Sequence, residues 1–457
     1  MTRLFFISIG CVVGVSLSCK EDVGISVFDF SKSVRSLTLE AFNPPEAVDT
    51  NPSPTLFETE LEATQYSKEV NGKMETFYHY NGQVPGPTIR VKVGDTVRVH
   101  LTNNLESATT IHWHGLKVPY AMDGVTWKAE PIEPGASFLY EFTVEQTGTF
   151  WYHPHFDTEK QLDRGLYGVL IVEEDEGPDV PEIVMIFDDA GEHMNHDHYV
   201  DRRDHHGKVA SWLINQNETD FLELTKGQVY RLRILNASNV QYLNLRWPQM
   251  KQIGGDQGFL SVLRHPESVL FGPGDRAEFE LVLEDEPLTL ESVPYSHLGG
   301  LTFQAPEVIL TARADGEEAA DVEVQWPLDG QPPSFSEQAP DIIYTLQGDP
   351  WSGKWLLSSE SFPNIEPRKL LQGSTAILEI RNISNAEHPF HLHGLVFEII
   401  SRNGIPVTER EMSDTINIPL YGRARLKVHA DNPGEWMAHC HILPHAYGGM
   451  MTVLVVE

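Results

Sequence analysis

Half of the chain's 20 histidines fall in four short clusters. They are His112-Trp113-His114, His153-Pro154-His155, His388-Pro389-Phe390-His391-Leu392-His393, and His439-Cys440-His441-Ile442-Leu443-Pro444-His445, with Met450 five residues further on. On an extended strand, residues i and i+2 face one side and i+1 the other. The pairs 112/114, 153/155, 391/393 and 439/441 can each offer two imidazoles to one point or to neighbouring points. Cys440 then faces away from its flanking histidines, and His388, at an odd offset from His391, can leave their shared face with it. Parity sorts the donors into two sets: eight imidazoles in one, and His388, Cys440 and His445 with the thioether of Met450 in the other. Two imidazoles, a thiolate and a weak axial thioether are the donors of a blue-copper electron-transfer centre, and an all-imidazole site for several ions also suits copper. Cys440 is bonded along the chain to His439 and His441, so one covalent path joins the two sets. A lone His-x-His is a common coincidence; four of them in this arrangement are not.

The elements that must hold these donors are strands. The chain's 35 Gly and 30 Pro point to many turns and short extended segments. Thr88–Val93, the turn Gly94-Asp95 and Thr96–Leu101 read as strand, turn, strand. The same pattern recurs through Lys226-Gly227 into Val229–Asn236 and through Gln372-Gly373 into Ala376–Asn382. Asn103, Asn236 and Asn382 close three copies spaced about 130–145 residues apart, which reads as a domain repeat. A length of 457 residues agrees with three domains of roughly 100–200 residues. No long amphipathic helical pattern is present. The expectation is three antiparallel β-sandwiches, at about 56–175, 176–320 and 335–457, joined by Pro- and acid-rich links; the acidic runs 173–179 and 314–323 read as linkers or solvated edges.

Over nearly all of residues 60–457 the chain resembles the multicopper oxidases, in particular the three-domain bacterial laccases and copper oxidases. The likeness is carried by Asn81-Gly82-Gln83-Val84-Pro85-Gly86-Pro87, Met122-Asp123-Gly124-Val125, Gly148-Thr149-Phe150-Trp151-Tyr152-His153 and Pro433-Gly434-Glu435-Trp436-Met437-Ala438-His439-Cys440-His441. It implies an all-β chain of three cupredoxin-like Greek-key β-sandwich domains. It also implies four copper ions: one type 1, one type 2 and two type 3. His388, Cys440 and His445, with Met450 axial, would be the type 1 ligands. His112 and His391 would be type 2 ligands. His114, His153 and His441 would hold one type 3 ion, and His155, His393 and His439 the other. Substrate would give up one electron at a time at the type 1 site, with His445 the edge nearest it, and dioxygen would be reduced to water at the trinuclear cluster. Asp123 occupies the position where the family often places an acid beside that cluster. Many bacterial relatives carry a second acid directly after the last type 1 histidine; here that residue is Ala446.

The N-terminus has Arg3 followed by an apolar stretch from Leu4 to Leu17, too short for a membrane span and read as an export signal, residues 1–19. Two processing sites compete. Cleavage before Cys19 would make it the lipidated N-terminus of a lipoprotein; Ser16-Leu17-Ser18 fits ordinary cleavage. Residues 20–55, rich in Ser, Pro and Asp, read as a tether. The body then keeps one cysteine, Cys440, which excludes an internal disulfide framework and leaves a thiol that burial or a metal must protect. The formal charge of −33 argues against nucleic acid as a partner and suits an exported body. A periplasmic or membrane-anchored location follows.

Other histidines weigh less. His193, His196, His198, His205 and His206 lie in an Asp-rich stretch that reads as a solvated loop of the middle domain. His79, His100, His265, His297 and His429 read as structural, and Trp113 and Trp151 as packing residues. Three functions compete. The first is a laccase-like oxidase of phenols, aromatic amines or low-valent metals with dioxygen as acceptor. The second is a periplasmic cuprous oxidase, against which the absence of a Met-rich segment counts. The third is a copper-free scaffold on the same fold, which would have no reason to keep the intact donor set. Length and the paired His-x-His motifs disfavour a two-domain nitrite reductase.

Overall fold

The computed structural model describes residues 35–457, apart from 71–72, 128, 190–211, 218, 300–304, 321 and 350–352. The leader with Cys11 and Cys19, and the His193–His206 stretch, lie outside the described residues. Among the described residues the regular secondary structure is almost all strand, with three short α-helices at Leu39–Phe42, Thr158–Asp163 and Leu443–Tyr447.

Six sheets form three face-to-face pairs along the chain. In the first pair, a four-stranded sheet ordered Lys73–Tyr80, Leu56–Val70, Thr96–Asn103, Ser137–Thr143 packs on another ordered Gly86–Lys92, Gly168–Glu173, Gly148–His153, His112–His114. Their inner faces meet in one core that includes Leu61, Val97, Leu101, Ile89, Phe150 and Leu170. The middle pair consists of two six-stranded sheets around Met185, Leu232, Ile234 and Phe279. The last pair sets a seven-stranded sheet against a five-stranded one ordered Arg368–Leu370, Met451–Val456, Gly434–Cys440, His388–Leu392, Thr415–Ile418. The chain therefore folds as three cupredoxin-like β-sandwiches. A fourth cluster, with Trp151, Tyr167 and Ile171 against Val184, Ile186 and Leu235, seals the first pair to the middle one.

The three sequence copies occupy the same place in each pair. Thr96–Asn103 has a parallel partner, Leu56–Val70, and an antiparallel one, Ser137–Thr143. Val229–Asn236 lies in the same way between Glu182–Asp189 and Arg276–Val282, and Thr375–Asn382 between Ile342–Asp349 and Arg423–His429. The closing asparagine also has one job. Its amide donates to two carbonyls of the returning chain (Ser107 and Ile132; Gln241 and Phe271; Ala386 and Ile418), and its oxygen accepts the N–H two residues on. A buried side-chain amide thus satisfies backbone groups left unpaired where the strand ends.

Two expectations change. Residues 36–42, read as tether, are part of the fold: Ser36–Thr38 adds a parallel strand beside Phe221–Glu223, and Phe42 is buried in the middle core. The run 173–179 is not wholly solvated. Glu174 makes a two-point ion pair with Arg231, whose guanidinium also reaches buried Glu278. Both departures have one cause: period-2 patterning shows which face of a strand is apolar, not which distant segment or side chain it will meet.

Candidate metal centre

Register brings the histidines together. His112 pairs across the sheet with His153, and His391 with His439, in antiparallel ladders where facing side chains are near neighbours. The eight imidazoles converge where the first and last sheet pairs meet. His112 and His393 stack with ring centroids 3.8 Å apart, as do His114 and His391. Their nitrogens gather in three groups, each with donor atoms within 4.8 Å: His112, His114, His391; His114, His153, His441; and His155, His393, His439. Same-face neighbours such as 153/155, 391/393 and 439/441 are thus divided between neighbouring points.

In most of these rings one nitrogen is engaged by the protein. His112 Nδ1–H donates to the Asp123 carbonyl at 3.1 Å, His153 Nδ1 to the Pro154 carbonyl at 2.9 Å, and His439 Nδ1 to the Cys440 carbonyl at 2.9 Å. His391 Nδ1 lies 3.0 Å from the Asp414 carbonyl, and His393 Nδ1 donates to Asp123 Oδ2 at 3.0 Å. His114 is turned the other way, with Nε2 3.0 Å from Asp414 Oδ1 and 3.1 Å from Thr415 Oγ1. The opposite nitrogens, Nε2 of His112, His153 and His391 and Nδ1 of His114, are buried with no hydrogen-bond partner, as are both nitrogens of His441. Each such orphan costs about 1–3 kcal/mol unless something binds it. One nitrogen fixed by a carbonyl or carboxylate and the other left open is the orientation of a metal-ligating histidine. Burial, with mutual repulsion added, pushes His439 down to about 3 and His114, His153, His155, His393 and His441 well below the ordinary range. These rings are neutral, with lone pairs available. The residues fit a cluster of metal ions bound by imidazole.

Cys440 turns to the opposite face, into the last core beside Met450. Its Sγ lies 3.5 Å from His388 Nδ1 and 3.6 Å from His445 Nδ1, and those nitrogens are 3.1 Å apart. Ser384 Oγ, 2.7 Å from His388 Nε2, steadies that ring. Pro444 opens the short helix Leu443–Tyr447, which carries His445 back over the sulfur. Burial pushes the thiol up, so a thiolate here needs a metal to displace the proton. Met450 is fully buried, and its carbonyl accepts from the Cys440 N–H at 3.2 Å.

Asp123 touches both His112 and His393, with Oδ1 3.2 Å from His112 Nδ1. Ala446 lines a cavity of about 430 Å³ together with His153, His155, His439, Asp157 and Tyr447. His445, expected as the edge presented to substrate, is only 2 % exposed and lies beneath the indole of Trp355. Trp113 and Trp151 are fully buried; Trp113 packs the first core, while Trp151 lies 4.2 Å from the His153 ring. Of the histidines read as structural, His297 stacks on Tyr242 and His100 pairs with Glu58.

Sequence reading missed Asp414, Thr415 and Arg276. Asp414 and Thr415 lie in Met412-Ser413-Asp414-Thr415, a stretch with no histidine to flag it, yet they orient His114 and His391. Arg276, from the middle pair, grips Asp414 with two hydrogen bonds of 2.8 and 2.6 Å and donates to the Thr149 carbonyl of the first pair. Gly115 makes room: with φ +89°, a Cβ there would stand 2.5 Å from Arg276 Nη2.

Two family models, both described as multicopper oxidase, match residues 62–177 and 334–457, together more than half of the chain. The multicopper oxidase mco of Staphylococcus aureus is 28% identical over 398 residues, covering 83% of this chain and 84% of the relative. A multicopper oxidase from Campylobacter jejuni, described as a metallo-oxidase, superposes with a TM-score of 0.79 at 26% identity, covering 93% of this chain and 95% of that one. The multi-copper oxidase of Pseudomonas thermotolerans gives a TM-score of 0.76 at 29% identity, over 89% and 100% of the two chains. With the histidine-bearing strands inside the two matched segments, the chain belongs to the multicopper oxidase family of copper-dependent oxidoreductases, which couple a reducing substrate to dioxygen.

Proposed function

We propose that this protein is a laccase-like oxidase that takes single electrons from phenols, aromatic amines or low-valent metal ions and passes four of them to dioxygen, giving two waters. One observation carries the reading. Cys440 Sγ faces two imidazoles on one side of its strand, while its chain neighbours His439 and His441 enter two different imidazole groups on the other. Copper would supply one-electron redox chemistry at the sulfur site and multi-electron chemistry at the histidine groups. His388, Cys440 and His445 would hold the type 1 ion with Met450 as a further donor, and His112 and His391 the type 2 ion. His114, His153 and His441 would hold one type 3 ion, and His155, His393 and His439 the other. That makes four coppers.

The protein's own contribution is position. Asp123 and Asp414 keep the rings in the tautomers that aim free nitrogens inward, and Asp123, the acid at the His112–His393 edge, would relay protons there. The test is direct. Copper-loaded protein should be blue, contain about four coppers per chain, and consume oxygen when given a phenol. A fully metallated but colourless protein would refute the assignment. The second reading is a periplasmic cuprous oxidase; the Campylobacter relative is described as a metallo-oxidase, which fits a metal ion as electron donor. Faster oxygen uptake with cuprous ion than with any phenol would select it. The leader supports export, to the periplasm or to a membrane through lipid on Cys19; the mass of the mature N-terminus distinguishes the two.

A further inference from the structure

The type 1 imidazole is not where a donor would meet it. His388 and His445 are both buried, and the ring of His445 lies against the indole of Trp355 with centroids 3.7 Å apart and planes 33° from parallel. The same indole meets His388 edge-on at 5.4 Å. Trp355 is itself buried, 3 % exposed, in Lys354–Leu357, the edge strand of the seven-stranded sheet, and its chain neighbour Lys354 reaches the surface beside it. Its backbone N–H donates to the Gly448 carbonyl, which ties the edge strand to the turn that follows His445. Two glycines shape the slot. A Cβ on Gly348, its cross-strand partner, would overlap the six-membered ring, and one on Gly448 would stand 2.5 Å from Cδ1. The ring is therefore held in one place by backbone on both sides. Leu or Ile would fill such a core position as well; a flat ring in a glycine slot, stacked on one imidazole and edge-on to the other, is a more specific arrangement.

We propose that the indole of Trp355 is the bridge through which substrate electrons reach the type 1 centre. This rests on the oxidase reading above. The donor loses one electron, cupric ion at the Cys440 site becomes cuprous, and the proton of a phenolic donor goes to solvent. Trp355 begins and ends neutral. Electron tunnelling falls steeply with each ångström of gap not spanned by overlapping orbitals. Indole has the most easily oxidised π system among ordinary side chains, and its stack on His445 closes the last gap. A donor over the edge strand then passes its electron through the buried indole to the buried imidazole, and driving force at this bridge selects among donors.

The experiment is anaerobic stopped-flow bleaching of the blue absorption in copper-loaded parent, Trp355→Phe and Trp355→Leu, with a phenol and separately with hexacyanoferrate(II). Spectrum, reduction potential and rate of reoxidation by dioxygen are recorded alongside. A bridge predicts bleaching slowed by about tenfold or more in Trp355→Leu, with Trp355→Phe between, while spectrum, potential and reoxidation stay at the parent values. Trp355→Phe keeps a planar ring in the slot and carries the comparison if the leucine variant does not fold. Equal or faster bleaching in either variant overturns the proposal, because it would make Trp355 a cover and not a bridge. A parent that is blue but bleaches with no donor overturns the oxidase reading itself, a different result.

Discussion

At the scale of single residues, the centre depends on which side of each ring the protein engages. Cys440→Ser is expected to abolish the blue colour and lower the copper content by about one ion, because sulfur is the donor that makes the site blue, while the imidazole groups keep theirs. Visible spectroscopy and metal analysis check this. Thr415 Oγ1 lies 3.1 Å from both His114 Nε2 and His391 Nδ1. Thr415→Val removes that contact from two rings at once and is expected to cost roughly 10–100-fold in copper affinity of the histidine groups, as loss of outer partners does. Competition with a chelator would measure it, with the blue band unchanged. Asp123→Asn is expected to slow dioxygen reduction with the blue absorption intact; unchanged turnover with the parent's solvent isotope effect would refute a role for that carboxylate.

At the scale of elements, tight turns set the angle at which each histidine strand arrives. Gly124 follows Asp123 with φ +74°, and a Cβ there would collide with the Ile111 carbonyl just before His112. Gly124→Ala is expected to destabilise by roughly 1–3 kcal/mol from backbone strain, with steric displacement of the His112 strand added. A lower urea midpoint at unchanged slope, with weakened copper binding, would be the signature. The strands themselves were legible in the sequence. Alternation and Gly turns located Thr96–Asn103, Val229–Asn236 and Thr375–Asn382, and the structure gives all three the same neighbours. The placement of His445 on a helix under Trp355 was not legible, because the cover comes from a strand about 90 residues earlier in the chain.

For the whole molecule, the middle sandwich contributes no histidine to the donor groups among the described residues, yet it braces them. Arg276 spans all three sandwiches through Asp256, Asp414 and the Thr149 carbonyl, entirely buried. Arg276→Met leaves Asp414 charged and uncompensated, which is expected to cost about 3–5 kcal/mol and to show as a lower melting temperature. A second clamp responds to acid. Burial alone would raise Glu182, but Arg233, Arg90 and Arg231 outweigh it and hold its carboxyl down to about 2, against 4.5 ordinarily. Between those values the unfolded chain binds more protons than the folded one. The clamp's contribution is therefore complete above pH 4.5 and is lost as pH falls towards 2. Melting temperatures across that range should fall less steeply in Glu182→Gln than in the parent.

Strand periodicity, the threefold recurrence and the two opposed donor sets are all written in the local order of residues. All three follow from local rules: side chains alternate along a strand, and a sulfur between two histidines must face away from them. Which histidines share a point, that Asp414, Thr415 and Arg276 aim them, and that Trp355 covers His445 emerge in the folded chain alone. Those facts come from register and from the docking of sandwiches far apart in the chain. They depend on packing between surfaces whose partners no local pattern names.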